Sequence, residues 1–429
     1  MRSYPIIFST LNFLALEAVN AIMASRIGMY HAASAVFANT LFNIFKRVNS
    51  GISVSVSPLV ALADRKKNNK KVTQILNHAL VLNTFFAFIF FIILIGLSIC
   101  MEAVSQSLEI SALGRPYLLI ISVSLIPSAI NNMIRRYLEG LSCGKIGLFL
   151  GFLTLVINII FNFLLIYGKC GFPILGLNGA GIAILLSETL TAVVGMLYLA
   201  YVQPNGYPVS YNIRQISWKY FKKILGVGLP AGLQLGIEGV YLLFIAIMAG
   251  WASIEAQAAH AILFNICQLT TIFTVSLGLS GAMLVAQQRG NKNGCLVRKV
   301  ALTGCVMIVV ISVVVGLALL FVSPYIVSFY KPIYSVNFLV GPLIKHLSLF
   351  QLFYGLCYWG NSVLRGLDDR TLPLAFSGIT QLIGIIGCYI AVVKYNWGIS
   401  GVWLSLIFER MLLSLFLFVR FECKTKTYS

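Results

Sequence analysis

Long, unbroken apolar stretches decide what this chain can be. They fall at roughly 5–26, 33–60, 74–100, 116–138, 146–168, 179–202, 223–250, 257–286, 299–322, 341–364, 373–394 and 399–420. Each runs to about 20 residues or more, enough to carry an α-helix across the ~30 Å hydrocarbon core of a bilayer. Lipid offers no partner to an open backbone, so such runs must span it as helices. A transmembrane barrel would show short alternating segments instead. Charged residues are 10% of the chain and apolar ones 59%, where a soluble domain carries about 25% charged. One water-soluble core is excluded. The expectation is an all-α membrane protein of about twelve transmembrane helices.

A net charge of +19 suggests nucleic acid at first sight, but the helices explain it better. With the N-terminus in the cytoplasm, 22 of the 31 Lys and Arg fall on the cytoplasmic side and six on the outer side. Lys46, Arg47 and Arg410 fall within helices, while Arg135 and Arg136 are counted with the cytoplasmic set. The positive-inside rule then places both termini in the cytoplasm, and no nucleic-acid partner is expected. The first apolar segment lacks a small-residue cleavage site and carries Glu17, so it reads as the first span rather than a signal peptide. Nine cysteines include no Cys-x-x-Cys pair, so neither a disulfide framework nor a metal site is expected.

The chain repeats itself. Leu-Phe-Asn-Ile stands at 41–44 and again at 263–266, and Leu-Glu-Gly-Leu at 138–141 corresponds to Leu-Arg-Gly-Leu at 364–367. Gly176 and Gly179 match Gly398 and Gly401, and each pair is followed by an intramembrane glutamate, Glu188 and Glu409. The offsets are 222 to 226 residues, and four matches in order at nearly one spacing are hard to assign to chance. Six helices separate the copies, so the halves share one orientation. Parallel repeats of this kind let transporters rock two bundles about a central site. The chain is therefore read as two pseudo-symmetric six-helix lobes, 1–203 and 223–429, joined by a cytoplasmic linker at 204–222.

Glu238 is a lone carboxylate in the apolar stretch Leu225 to Ala249, preceded by Gly-Leu-Pro-Ala-Gly-Leu-Gln-Leu-Gly-Ile from 228 to 237. A charge in lipid costs a few kcal/mol, about 2.5–3.5 on insertion scales, and is usually kept for ion or proton handling. Proline and glycines survive in a membrane helix where neighbours or a cavity satisfy the backbone.

These stretches resemble the multidrug and toxic compound extrusion transporters, within the superfamily that also holds lipid-linked oligosaccharide flippases. The likeness covers nearly the whole chain. Its most specific part is the Leu-Pro run to Glu238, followed by Ala-Ala-His at 258–260 and Asn265. Also similar are Asn158 and Asn162, Tyr-Gly-x-Cys-Gly-Phe-Pro-x-Leu-Gly at 167–176, Gly-Ala-Gly-Ile-Ala at 179–183 and Leu-Arg-Gly-Leu-Asp-Asp at 364–369. The resemblance implies two lobes enclosing a cavity, with export driven by inward proton or sodium movement. Two departures stand out. Asn20 occupies the place of an aspartate found in the first helix of many members, with Glu17 one turn earlier. Tyr354 occupies the place of an aspartate found in sodium-coupled members. The coupling ion expected is the proton, with sodium the alternative, and no other cofactor.

Each residue carries a plainer reading as well. Glu238 is either the coupling acid or a structural carboxylate bonded to a neighbouring helix. Glu17 and Asn20 either complete the coupling site or lie near the membrane surface. Asn158 and Asn162 share a helix face and either line the cavity or glue helices together. Glu188 and Glu409 read as packing partners, with Arg410 available to neutralise the second, although Glu188 is kept among the cavity candidates with Tyr354. His260 either bonds between helices or relays protons. Lys46 and Arg47 lie too deep to snorkel comfortably. They are reached by a kink at Gly51 and Pro58, paired with Glu17, or form a basic patch for an anionic substrate.

The function expected is a proton-driven antiporter exporting organic compounds from a bacterial inner membrane, working on a small molecule as a monomer. The rival is a lipid-linked saccharide flippase or an exporter of anionic metabolites. There is no His-Glu-x-x-His, no Gly-x-Ser-x-Gly and no Walker motif, so neither an enzyme nor an ATP-driven pump is expected. No selectivity-filter repeat supports a channel.

Overall fold

The computed structural model describes residues 16, 19–20, 23, 27–65, 67–99, 101, 108–207, 217–290, 294–330, 334–367, 369 and 371–426. Every regular element among them is helical. The order is α1 Met29–Ser53, α2 Val56–Arg65, α3 Asn69–Ile99, α4 Leu108–Val123, α5 Leu125–Gly140, α6 Gly144–Tyr167 and α7 Gly176–Val202. A short 3-10 turn, Pro204–Gly206, follows. Then come α8 Trp218–Ala252, α9 Ile254–Gly290, α10 Gly294–Tyr330, α11 Tyr334–Gly366, α12 Thr371–Tyr389 and α13 Gly398–Lys426. Among the described residues nine helices are long and apolar enough to cross a membrane, or ten if a bent pair counts as one span. The protein is a multi-pass integral membrane protein of the all-α class.

The expected first span, 5–26, lies almost wholly outside the described residues. Two other expected spans are broken, by the same device. The stretch 33–60 ends as α1 at Ser53 and resumes as α2 at Val56. Ser53 and Ser55 turn their hydroxyls back onto the carbonyls of Ser50 (2.5 Å) and Ile52 (3.0 Å), competing with the helical ladder. Pro58 lacks an N–H and crowds the carbonyl four residues back. In the stretch 116–138, Ser124 bonds back to Ile121 O (2.6 Å) ahead of Pro127, and α4 and α5 meet at 41°.

The chain divides into two compact units, residues 2–239 and 240–429. The helix α8 starts five residues earlier than the expected 223, and its first turns pack into the N-terminal unit. Ile224 joins the core made by Val56, Ile75, Tyr137 and Leu199. Tyr207 donates to Asp64 Oδ1 (2.5 Å), and that bond, with burial and the carboxylate charge adding to it, raises the Tyr207 hydroxyl above the ordinary value of 10. The C-terminal unit has a core around Trp403, Phe350, Leu347 and Leu263, and another around Trp359, Leu417 and Phe421.

Within the N-terminal unit, α8 lies against α1 along a stripe of glycines. Gly232 faces Val48 O, where a Cβ would come within 2.8 Å, and Gly239 faces Ile44. At Gly228 a Cβ would strike the Ile52 carbonyl, so only glycine admits this approach. Gly226, half a turn away, faces open space. Gly228→Ala is therefore expected to destabilise by about 1–3 kcal/mol through overpacking. Gly226→Ala should stabilise by about 0.5–1 kcal/mol through helix propensity. Thermal unfolding in detergent checks both; equal midpoints would refute the close seam.

Candidate functional site

Polar side chains from four helices meet inside the N-terminal unit. On α5, Asn131 and Arg135 lie one turn apart on one face. Asn131 Nδ2 donates to Glu188 Oε2 (2.7 Å) and to the Glu188 carbonyl (2.9 Å) on α7. Lys46 Nζ, from α1, lies 3.6 Å from Glu188 Oε1, the two side chains being 15% and 6% exposed. Arg135 Nη2 donates to Thr154 Oγ1 on α6 (3.2 Å). That hydroxyl in turn bonds Leu150 O (2.9 Å) and meets Thr191 Oγ1 on α7 (3.2 Å). Arg135 Nε is sealed from solvent with no hydrogen-bond partner among the described residues. The arrangement answers the puzzle of Lys46: its counter-ion is Glu188, a residue the sequence reads as packing. Arg47 sits half-buried beside it on α1.

Asparagines form a second cluster. Asn162 Nδ2 donates to Asn158 Oδ1 (2.9 Å), one turn back on α6, and to Asn20 Oδ1 (2.8 Å). Asn158 and Asn162 are fully buried. Three residues separated by up to 142 positions are thus joined through their side-chain amides. Glu17 lies outside the described residues.

In the C-terminal unit Glu409 on α13 is a wholly buried carboxylate. Its Oε2 lies 3.1 Å from Arg410 Nε, and its Oε1 accepts from Thr380 on α12 (3.2 Å). The Arg410 guanidinium also stands 5.4 Å from the ring of Tyr354 on α11, within reach of a cation–π contact. Nearby on α11, Gln351 Oε1 accepts from Thr270 on α9 (3.3 Å). The His260 ring stacks on Phe264 (5.9 Å) and lies against Trp403 (5.8 Å), and Nδ1 has no partner among the described residues. It is a core residue. Glu238 is half-buried on α8, between Gly236 and Gly239, which face Val48 and Ile44 of α1.

Asn131, Arg135, Thr154 and Gln351 escape a reading by sequence. Arg135 lies a turn inside α5 and was counted as a loop cation, because charge counting carries no information on burial.

The two halves also match locally: Gly176 and Gly398, 222 apart, both take φ of +54° as the first residues of their helices. The same family model, MatE, matches twice, at residues 5–164 and 230–390. The chain belongs to the MatE family. Its two matches start 225 residues apart, in line with the repeat read from the sequence. Among relatives of this MatE protein, a probable multidrug resistance protein NorM from Synechococcus is 28% identical over 90% of this chain and 85% of its own. Another from Photorhabdus laumondii is 26% identical over 97% and 93%. Among solved structures, a MOP superfamily transporter from Pyrococcus furiosus, whose binding pocket has reversed polarity, superposes with a TM-score of 0.85 at 17% identity, covering 99% of this chain and 95% of that one. An outward-facing multidrug resistance transporter of the MATE family gives 0.84 at 18%, with the same coverage. Both share the fold.

Proposed function

We propose that this protein exports organic compounds in exchange for protons, by alternating access of two six-helix lobes, 1–203 and 223–429. Its relatives are named as multidrug resistance proteins. The observation that carries the coupling is Glu238, set in the membrane beside the glycine seam between α8 and α1. A carboxylate there can hold a proton or face a cationic substrate, but not both at once, and that exclusion couples the two movements. Tyr354 stands where the resemblance puts an aspartate in sodium-coupled members, which favours protons over sodium. The lysine and arginine asymmetry supports cytoplasmic termini, and the bacterial relatives support a bacterial inner membrane. The protein works as a monomer without a bound cofactor.

A second reading, export of an anionic metabolite or flipping of a lipid-linked saccharide, draws on one observation. Lys46 and Arg135 bring two cations to the single carboxylate of Glu188, with the Arg135 Nε unpartnered. Proteoliposomes separate the readings. Under an imposed pH gradient the first expects uptake of a labelled organic cation, collapsed by a protonophore and indifferent to sodium. Uptake of a labelled organic anion but not the cation would overturn it in favour of the second.

A further inference from the structure

The start of α8 is held on one face and bare on the other. Ser217 N–H donates to His78 Nε2 on α3 (2.8 Å), and His78 Nδ1 meets Gln74 O (2.6 Å). The ring thus bridges α3 and the start of α8. Tyr220 OH donates to Gln74 Oε1 (2.7 Å), and the rings of Tyr220 and Phe221 lie 4.9 and 5.3 Å from His78. With Ile224 in the core, the inner face of the first two turns is fixed.

The outer face then has no freedom to turn inward. Trp218 is 74% exposed, and Lys219, Lys222 and Lys223 are exposed beside it. Below them runs an open groove of about 380 Å³, lined by Trp218, Lys222, Leu225, Gly226, Leu229 and Pro230. No Asp or Glu occurs from Trp218 to Ile237, so the helix sets no carboxylate against an anion there. From Lys222 to Leu229 the groove falls about 10 Å along the helix, at 1.5 Å per residue. Its chemistry changes over that distance from ammonium groups and an indole to bare aliphatic surface around a glycine. Tryptophan and lysine together mark the membrane–water interface.

We propose that this groove is a binding site for an anionic phospholipid. Its phosphate meets Lys222, flanked by Lys219 and Lys223, and one acyl chain lies over Gly226 against Leu225, Leu229 and Pro230. The site commits to a whole lipid because a free anion would use only its upper end. Its leaflet, the cytoplasmic one, rests on the orientation proposed above; the site itself does not. A lipid seated here would anchor the base of the helix that bears Glu238.

Lipid retention on the purified full-length protein tests this without any transport assay, so its failure is separable from failure of the antiport reading. Dioleoyl phosphatidylglycerol, dioleoyl phosphatidylcholine and inorganic phosphate are titrated in detergent, with bound lipid counted by native mass spectrometry and unfolding followed by temperature. Phosphatidylglycerol is expected to be retained several-fold more tightly than phosphatidylcholine and to raise the unfolding midpoint, with phosphate doing neither. Lys222→Gln should weaken phosphatidylglycerol roughly five-fold, the equivalent of about 1 kcal/mol for one lysine at an anionic surface. Gly226→Leu puts an aliphatic side chain into the groove from a Cβ with nothing within 4 Å of it. It should weaken both lipids while leaving the helical spectrum unchanged. Equal retention of the two lipids, or indifference to both substitutions, would mean ordinary boundary lipid and overturn the proposal. Stabilisation by phosphate as strong as by phosphatidylglycerol would reduce it to a plain anion site and overturn it as well.

Discussion

Glu238→Gln is expected to reduce gradient-driven uptake of an organic cation to the level of protein-free vesicles. Glutamine keeps the size of the side chain and its capacity to accept a hydrogen bond, but it neither takes up nor releases a proton. Glu238 is the sole acidic residue between Trp218 and Ala252, so α8 has no substitute for it. The variant should still fold, because the glycine seam beside it depends on Gly228, Gly232, Gly236 and Gly239 and on no charge. Substrate binding in the absence of a gradient supplies the sharper test. In the wild type, protons and a cationic substrate compete for one carboxylate, so affinity should fall as the pH is lowered. In Glu238→Gln that dependence should vanish. Glu238→Asp, which shortens the chain but keeps the charge, should retain part of the uptake and all of the pH dependence. Uptake by Glu238→Gln at the wild-type rate would move coupling to the region of Glu17 and Asn20.

What could be read beforehand follows from which forces leave a linear trace. Helix number, class and the twofold repeat are written as runs of apolar residues and as spaced glycines, because lipid imposes both length and backbone satisfaction. Breaks leave a weaker trace. Ser55 with Pro58, and Ser124 with Pro127, each end a helix that hydropathy alone runs through, since both residues count as tolerable within a membrane span. The partner of a buried charge leaves none. Lys46 and Glu188 are 142 residues apart, and only the packing of α1 on α7 makes them a pair. Glu409 was the easier case because its counter-ion, Arg410, is its neighbour in the chain. Glycines 228 to 239 could be taken as helix breakers near a site; the structure uses them as a surface on which α1 rests. The ring contacts of His260 with Phe264 and Trp403 leave no trace in the sequence either, since Trp403 is 143 residues away.

The same reasoning gives the largest effect expected on stability. Glu409 is wholly buried and Arg410 nearly so. Removing one partner of a buried pair strands the other charge, at a cost of about 3–5 kcal/mol. Glu409→Gln and Arg410→Met should each lower the unfolding midpoint sharply, yet the double variant should recover most of the loss, since a buried pair replaced as a unit is often neutral. Glu188→Gln should cost less than Glu409→Gln. Asn131 can still bond the new amide, and the more exposed Lys46 has a flexible stem along which to move its charge outward. A double-mutant cycle on Glu409 and Arg410 measures the coupling directly. If Glu409→Gln proved as stable as the wild type, Glu409 would have to be neutral in the folded protein already. Arg410 would then be compensated by groups other than Glu409. A neutral carboxyl buried in the C-terminal unit would be a proton carrier in its own right, and coupling would have to be sought there as well as at Glu238.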